Sequence, residues 1–167
     1  MEVLRGKGLD ISGDAIESGL SDIDWPGRIE KISSNPTIIL DGAHNPPAMG
    51  ALANSIEHDF DYEQLILVLG ILEDKDIDSI IKRILPLANR VIYTRPTYER
   101  AADPHYLKDK AGEVGKAGEV CLSIPVAIDR ARNVAGKRDL ILITGSLYTV
   151  GEAKSYFDPV RYPIEEI

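Results

Sequence analysis

Residues 37–46 read TIILDGAHNP, an apolar run followed by a polar loop that ends in proline. The run 37–40 is short and rich in isoleucine, which is typical of a buried strand. A strand, a polar loop and a helix in this order form the repeating unit of a parallel sheet. The helix is predicted over 47–58, where apolar residues recur at three- and four-residue spacing: Met49, Leu52, Ala53 and Ile56.

The same alternation continues along the chain. Three of the strand segments are apolar on both faces, as a strand covered by helices on both sides requires. The sequence therefore predicts an α/β fold: a Rossmann-like, three-layer domain with a mostly parallel sheet of five or six strands and helices on both faces. Further strands are predicted at 65–69, 90–94, 119–122 and 140–144, and an additional edge strand at 28–32. Further helices are predicted at 77–87, 104–114, 125–134 and 147–156.

The length of 167 residues suits one domain with a real hydrophobic core. We expect residues 25–157 to form this domain. Residues 1–24 do not fit the alternation, because a short capped helix over 12–20 is followed by a polar linker. We interpret them as the tail of a preceding domain. Residues 158–167 are expected to form a loose tail.

Composition limits the possible partners and compartments. The formal net charge of −8 argues against nucleic acid and anionic membranes as main partners. No run of 18 apolar residues occurs, and the charged, glycine-containing residues 1–10 do not resemble a signal peptide. Cys121 is the only cysteine, so disulfides and cysteine-based metal sites within one chain are excluded. This cysteine usage favours the reducing cytoplasm.

Polar residues follow each predicted strand. In open parallel sheets, ligands bind at the carboxyl ends of the strands, and each helix that follows offers free N–H groups to anions. The sequence therefore predicts a ligand-binding edge that carries carboxylate, imidazole, ammonium, guanidinium and hydroxyl groups. The polar segments are 41–46, 73–76, 94–100, Ser123 and 144–146.

Several complete catalytic motifs are missing from the sequence. No G-x-x-x-x-G-K-[ST] phosphate loop and no G-x-G-x-x-G fingerprint after the first strand occur. The sequence also contains no H-E-x-x-H zinc motif and no G-x-S-x-G nucleophile elbow. A complete nucleotide-cleaving site is therefore not predicted, and no metal ligands are assigned.

Four motifs occur in a fixed order: WPGR at 25–28, DGAHNP at 41–46, Gly70 with DKD at 74–76, and GSLY at 145–148. Together they resemble the C-terminal domain of folylpolyglutamate synthases and dihydrofolate synthases, members of the Mur ligase superfamily. The resemblance covers about residues 25–155. It is closer to the folate branch, because the Mur ligases of cell-wall synthesis usually have a bulkier residue where Gly42 stands.

The resemblance implies a two-domain, ATP-dependent ligase of which this chain is the second domain. In that family the N-terminal domain carries the phosphate loop, the Mg²⁺ ligands and a modified lysine. ATP phosphorylates a carboxylate of the folate, and the amine of glutamate attacks the acyl phosphate. The implied partners are ATP, L-glutamate, a folate-type pterin and the N-terminal ATPase domain. The chain alone is expected to be inactive.

The resemblance also implies roles for five residues. Arg28 would contact ATP phosphate, and Asp41 would bind the nucleotide at its ribose hydroxyls. His44 and Lys75 are the catalytic candidates: His44 would contact phosphate or orient the reactants, and Lys75 would pair with a phosphate or a substrate carboxylate. Ser146 would hold the glutamate carboxylate with its hydroxyl and the adjacent N–H groups.

Each of these residues also has a structural interpretation. Arg28 would be an exposed linker arginine, Asp41 and Ser146 would cap helices, and His44 would be an ordinary loop histidine. Lys75 would belong to a solvated charge run over 73–78.

Two other functions stay open beside the glutamate ligase. One is a non-catalytic ligand-binding or regulatory module on the same scaffold. The other is a Mur-type amino-acid ligase domain with a different acceptor. A third hypothesis, a nucleotide-binding oxidoreductase fragment, is disfavoured by the missing glycine fingerprint.

Overall fold

The computed structural model describes residues 3, 6–8, 10–21 and 25–163. Strands and helices alternate along this part of the chain, as the sequence predicts. The strands are β1 (Glu30–Ser34), β2 (Thr37–Asp41), β3 (Leu65–Leu69), β4 (Arg90–Tyr93), β5 (Glu119–Val120) and β6 (Leu140–Thr144). The helices are α1 (Gly13–Ser21), α2 (Pro46–Asp59), α3 (Ile77–Ile84), α4 (Pro104–Glu113), α5 (Ile124–Val134) and α6 (Leu147–Phe157), with a short 3₁₀ turn at Leu85–Leu87.

The strands form one six-stranded sheet in the order β1-β2-β6-β3-β4-β5. β1 runs antiparallel to β2, and every other neighbouring pair is parallel. The predicted α/β fold with a mostly parallel sheet is confirmed. The edge strand begins at Glu30, two residues later than predicted, because residues 26–29 form a turn.

Both faces of the sheet are buried, because β3 is apolar on every residue and β6 is apolar on all but Thr144. On one face the odd-numbered residues of β3 pack with α2, α3 and α4, and on the other face the even-numbered residues pack with α5 and α6. Leu67 and Leu142 mark the first core, and Val68 and Ile143 mark the second. Burying each such side chain contributes about 1.5–3 kcal/mol.

The crossovers create a topological switch point at the carboxyl ends of three strands. β6 lies between β2 and β3, in register so that Asp41 and Leu69 both flank Thr144. The helices after β2 and β3 cover one face, whereas the helix after β6 covers the other. In open α/β sheets, ligands bind where successive helices diverge in this way. The fold therefore places the loops after β2, β3 and β6 next to one another at the same edge of the sheet.

The sequence predicts a short capped helix near the N-terminus and a loose tail at the C-terminus. The N-terminal helix is confirmed as α1, and the Ser12 hydroxyl accepts a hydrogen bond from the Ala15 N–H at 3.1 Å. Its origin in a preceding domain stays a prediction, and linker residues 22–24 lie outside the described residues. In the segment 158–163, Tyr162 packs against α6 through Lys154 and Ser155, and the loose tail over 158–167 stays a prediction. Residues 164–167 lie outside the described part.

Candidate functional site

The first part of the site is a tight turn at residues 25–30, which we name the linker turn. The N–H of Arg28 donates to the Trp25 carbonyl at 3.1 Å. Gly27 has φ of 72°, a conformation that glycine adopts without steric cost. Its carbonyl accepts a hydrogen bond from the Gly42 N–H at 2.8 Å. The turn is therefore fixed to the loop after β2.

Asp41 secures the same turn from the end of β2. Its carboxylate is only 5% exposed, and it accepts hydrogen bonds from the Ile29 N–H at 3.0 Å and the Ala43 N–H at 2.8 Å. Ile29 has φ of 45°, which costs a β-branched residue of order 1–3 kcal/mol. Asp41 thus holds a strained backbone in place. It does not cap α2, because Asn45 fills that position.

Arg28 projects from the linker turn into solvent. Its side chain is exposed, and its guanidinium makes no hydrogen bond or ion pair to the described residues. The structure therefore supplies a free cation on a backbone that is fixed on both sides. A guanidinium in this state can bind a phosphate in a bidentate manner.

His44 is half-buried in the loop between β2 and α2. Its Nδ1 lies 2.8 Å from the carbonyl oxygen of Gly42. Because a carbonyl can only accept, Nδ1 carries the proton, and Nε2 is left available to a ligand. Asn45 accepts a hydrogen bond from the Ala48 N–H at 2.9 Å and is the cap of α2.

Lys75 lies in the loop after β3, on the opposite side of β6 from Asp41. Its ammonium is 2.8 Å from the carboxylate of Asp74, and its side chain is 28% exposed. The hydrogen bond from Lys75 holds the pKa of Asp74 below its usual value. Lys75 is therefore partnered, and a ligand would have to compete with Asp74 for it.

Ser146 begins α6 and is almost completely buried. Its hydroxyl accepts from the Thr149 N–H at 3.0 Å and donates to the Thr149 hydroxyl at 2.9 Å. That hydroxyl in turn donates to the carbonyl of Gly70 at 2.9 Å. Ser146 thus caps α6 and ties it to the end of β3. The first N–H groups of α6 are what this corner offers to an anion.

The loop after β4 and the first turn of α6 each carry a tyrosine, and the sequence did not predict the contact between them. The rings of Tyr98 and Tyr148 stack with centroids 3.8 Å apart and an interplanar angle of 10°. Arg100 donates two hydrogen bonds to the Tyr98 hydroxyl, at 3.1 and 2.8 Å. Hydrogen bonds from Tyr148 and Arg100 lower the pKa of Tyr98. No sequence signal joins Tyr98 to Tyr148, because they are 50 positions apart.

Helix α6 also holds the loop after β4 through Glu152. Its carboxylate accepts a hydrogen bond from the Thr97 N–H, and its burial raises the pKa of the carboxyl. Beside the loop lies an open depression of about 530 Å³. It is lined by Arg95, Pro96, Thr97, Tyr98, Glu99 and Leu122.

The five predicted site residues all lie at the carboxyl edge of the sheet or on the turn attached to it. Arg28, Asp41 and His44 are joined through the backbone of the linker turn and of Gly42. Ser146 follows the adjacent strand, and Lys75 follows the strand beyond it. A guanidinium, an imidazole and helix N-termini can each bind an anionic group such as a phosphate or a carboxylate. No cluster of three or more metal-binding side chains exists within residues 25–163 or the described N-terminal residues.

A family model described as "Mur ligase, glutamate ligase domain" matches residues 27–147. A probable bifunctional folylpolyglutamate synthase/dihydropteroate synthase of Haloferax volcanii is 39% identical over 147 residues, which are 87% of this chain and 17% of that protein.

Two solved structures have a similar fold. Folylpolyglutamate synthase of Mycobacterium tuberculosis, complexed with ADP, gives a TM-score of 0.83 and 34% identity, covering 90% of this chain and 36% of that one. A bifunctional folylpolyglutamate synthase/dihydrofolate synthase with Mn, AMPPNP and L-glutamate bound gives 0.81 and 27%, covering 92% and 37%. The chain spans 17% to 37% of the length of these three proteins.

Proposed function

Since the chain belongs to the Mur ligase family, as its glutamate ligase domain, we propose that it forms one wall of the active site of an ATP-dependent ligase that adds glutamate to a folate-type acceptor. The observation that carries this proposal is the guanidinium of Arg28, which has no hydrogen bond or ion pair to the described residues and extends from a turn that Asp41 fixes at the edge where the helices diverge. ADP and L-glutamate in the similar structures support it.

Arg28 and Asp41 would act on the nucleotide. The guanidinium of Arg28 would neutralise phosphate charge during phosphoryl transfer. Asp41 first fixes the linker turn. Each of its oxygens keeps a second lone pair, which would accept a hydrogen bond from a ribose hydroxyl after a small movement of the loop.

His44, Lys75 and Ser146 would act on phosphate and glutamate. The Nε2 atom of His44 would contact phosphate or orient the reactants. Lys75 would exchange Asp74 for a phosphate or a substrate carboxylate. Ser146 would place the first N–H groups of α6 so that they receive the carboxylate of glutamate.

The other domain would supply the phosphate loop, which this sequence lacks, and the ligands of Mg²⁺. ATP supplies the phosphoryl group that activates the acceptor carboxylate. We therefore propose that the chain alone binds ATP weakly and does not turn over. No helix in the described part of the chain is long and apolar enough to cross a membrane. The single cysteine leads us to propose the cytoplasm as the site of action.

The test is a ligation assay of the whole ligase with ATP, L-glutamate and a panel of pterin acceptors. Mass spectrometry should detect an acceptor that has gained one glutamate only when ATP is present. Failure to add glutamate to any pterin acceptor would overturn the proposal. Transfer of glutamate only to non-pterin acceptors would instead assign the domain to another ligase of the family.

A further inference from the structure

Glu30 and Lys154 form a buried ion pair, and neither of them is among the five predicted site residues. The ammonium of Lys154, on α6, donates to both carboxylate oxygens of Glu30, at 2.8 and 2.9 Å. The side chains are only 8% and 20% exposed, and the ring of Tyr162 covers the ammonium at 4.3 Å. Burial alone would lower the pKa of Lys154, but its hydrogen bonds to Glu30 and Tyr162 hold it above its usual value.

Glu30 has a second partner on the linker turn. Its Oε2 atom accepts a hydrogen bond from the N–H of Gly27 at 2.6 Å. On the other side of Arg28, the N–H of Ile29 donates to Asp41 at 3.0 Å. The backbone amides immediately before and after Arg28 are therefore each held by a carboxylate. Arg28 itself contributes no side-chain contact to this arrangement within the described residues.

From this arrangement we infer that Glu30 and Lys154 are positioning residues for Arg28: the pair anchors the Gly27 N–H so that the free guanidinium leaves the turn from one fixed backbone geometry. The inference rests on the proposed role of Arg28. Burying two charges carries a desolvation cost that their attraction often fails to exceed, so stability alone does not account for the pair. Fixing a catalytic cation before the ligand binds saves the entropy of ordering it later.

The variants are chosen to separate the ion pair from its effect on Gly27. In the exchanged double variant, Glu30→Lys with Lys154→Glu, the charges can still pair, but residue 30 can no longer accept from the Gly27 N–H. Lys154→Arg keeps the cation. Glu63→Gln is the matched control, since it breaks an exposed pair with Arg138 that is also 2.9 Å long.

Three measurements are compared: thermal stability and amide exchange of Gly27 in this chain, and kcat with KM for ATP in the whole ligase. Lys154→Met removes the cation and should lower the thermal stability. We expect the exchanged variant to recover most of that loss. Its Gly27 amide should still exchange faster than in the wild type, and kcat should fall about 10-fold. Lys154→Arg and Glu63→Gln should keep wild-type kcat and wild-type exchange.

Recovery of kcat together with stability in the exchanged variant would show a purely structural pair and overturn the inference. If that variant does not fold, Glu30→Leu combined with Lys154→Met removes both the acceptor for the Gly27 N–H and the unpaired cation, and unchanged Gly27 exchange with unchanged kcat in it overturns the inference as well. Arg28→Ala is assayed in parallel. If it lowers turnover while the Glu30 and Lys154 variants do not, the positioning inference alone fails. If none of them lowers turnover, the proposed role of Arg28 fails too.

Discussion

The carboxylate of Asp41 accepts a hydrogen bond from the backbone N–H of Ile29 over 3.0 Å, and this contact joins the linker turn to the end of the sheet. The same carboxylate holds the N–H of Ala43 at 2.8 Å. A single buried side chain therefore supports both segments that carry the nucleotide-site candidates, Arg28 and His44.

Asp41→Asn should lower the free energy of unfolding by about 1.5–3 kcal/mol. The asparagine NH2 group would replace one carboxylate oxygen, so one charge-assisted hydrogen bond is lost and two donors face each other. Urea denaturation of the chain measures the change. The control is Asp109→Asn, an exposed aspartate on α4, which should stay within about 0.5 kcal/mol of the wild type. Equal stability of the two variants would contradict the assigned role of Asp41.

Gly70 permits the close approach of β3 and α6. A methyl group there would lie 2.6 Å from the Thr149 hydroxyl oxygen. Gly70→Ala should therefore destabilise the chain by about 1–3 kcal/mol through overpacking. Gly151, within α6, has open space around it, so Gly151→Ala should stabilise by about 0.5–1 kcal/mol. Thermal denaturation of both variants tests this, and a shift of the same sign in both would argue against the packing described.

The carboxyl of Glu152 gives a pH dependence of defined sign. Its burial raises its pKa in the folded state, so the folded chain takes up a proton at higher pH than the unfolded chain does. The contribution of Glu152 to stability therefore increases as the pH falls through the raised pKa toward the unfolded value. Glu152→Gln should remove this increase and leave the amide oxygen to accept from Thr97. Unfolding free energies of both proteins between neutral and acidic pH give the comparison. Parallel curves would show that Glu152 is not the responsible group.

The fold could be predicted because its signals are local. The segments 65–69 and 140–143 are apolar throughout, and only a strand covered on both faces buries such a run. An asparagine directly before the proline that opens a helix is likewise a local capping signal, and Asn45 caps α2. The order of the sheet was not predicted, because neighbouring strands such as β2 and β6 are about 100 residues apart.

The partners of the site residues depend on contacts between distant segments. The motif around Asp41 predicted a functional carboxylate, but nothing in the sequence showed that the Ile29 amide would reach it. The positive φ of Ile29 is also unexpected, because isoleucine disfavours that conformation. For Ser146, the structural interpretation was local, and its cap on Thr149 is present. Its contact with glutamate stays a proposal.

The turnover of the whole ligase carrying Arg28→Ala tests most directly whether Arg28 acts on the nucleotide. Arg138→Ala, which removes an exposed arginine paired with Glu63, serves as the control. We predict that Arg28→Ala lowers ATP-dependent glutamate addition about 100-fold, with the unfolding free energy of this chain unchanged, because the lost charge acts on phosphate. Wild-type turnover in Arg28→Ala would contradict the claim that this edge of the sheet forms the nucleotide side of the active site.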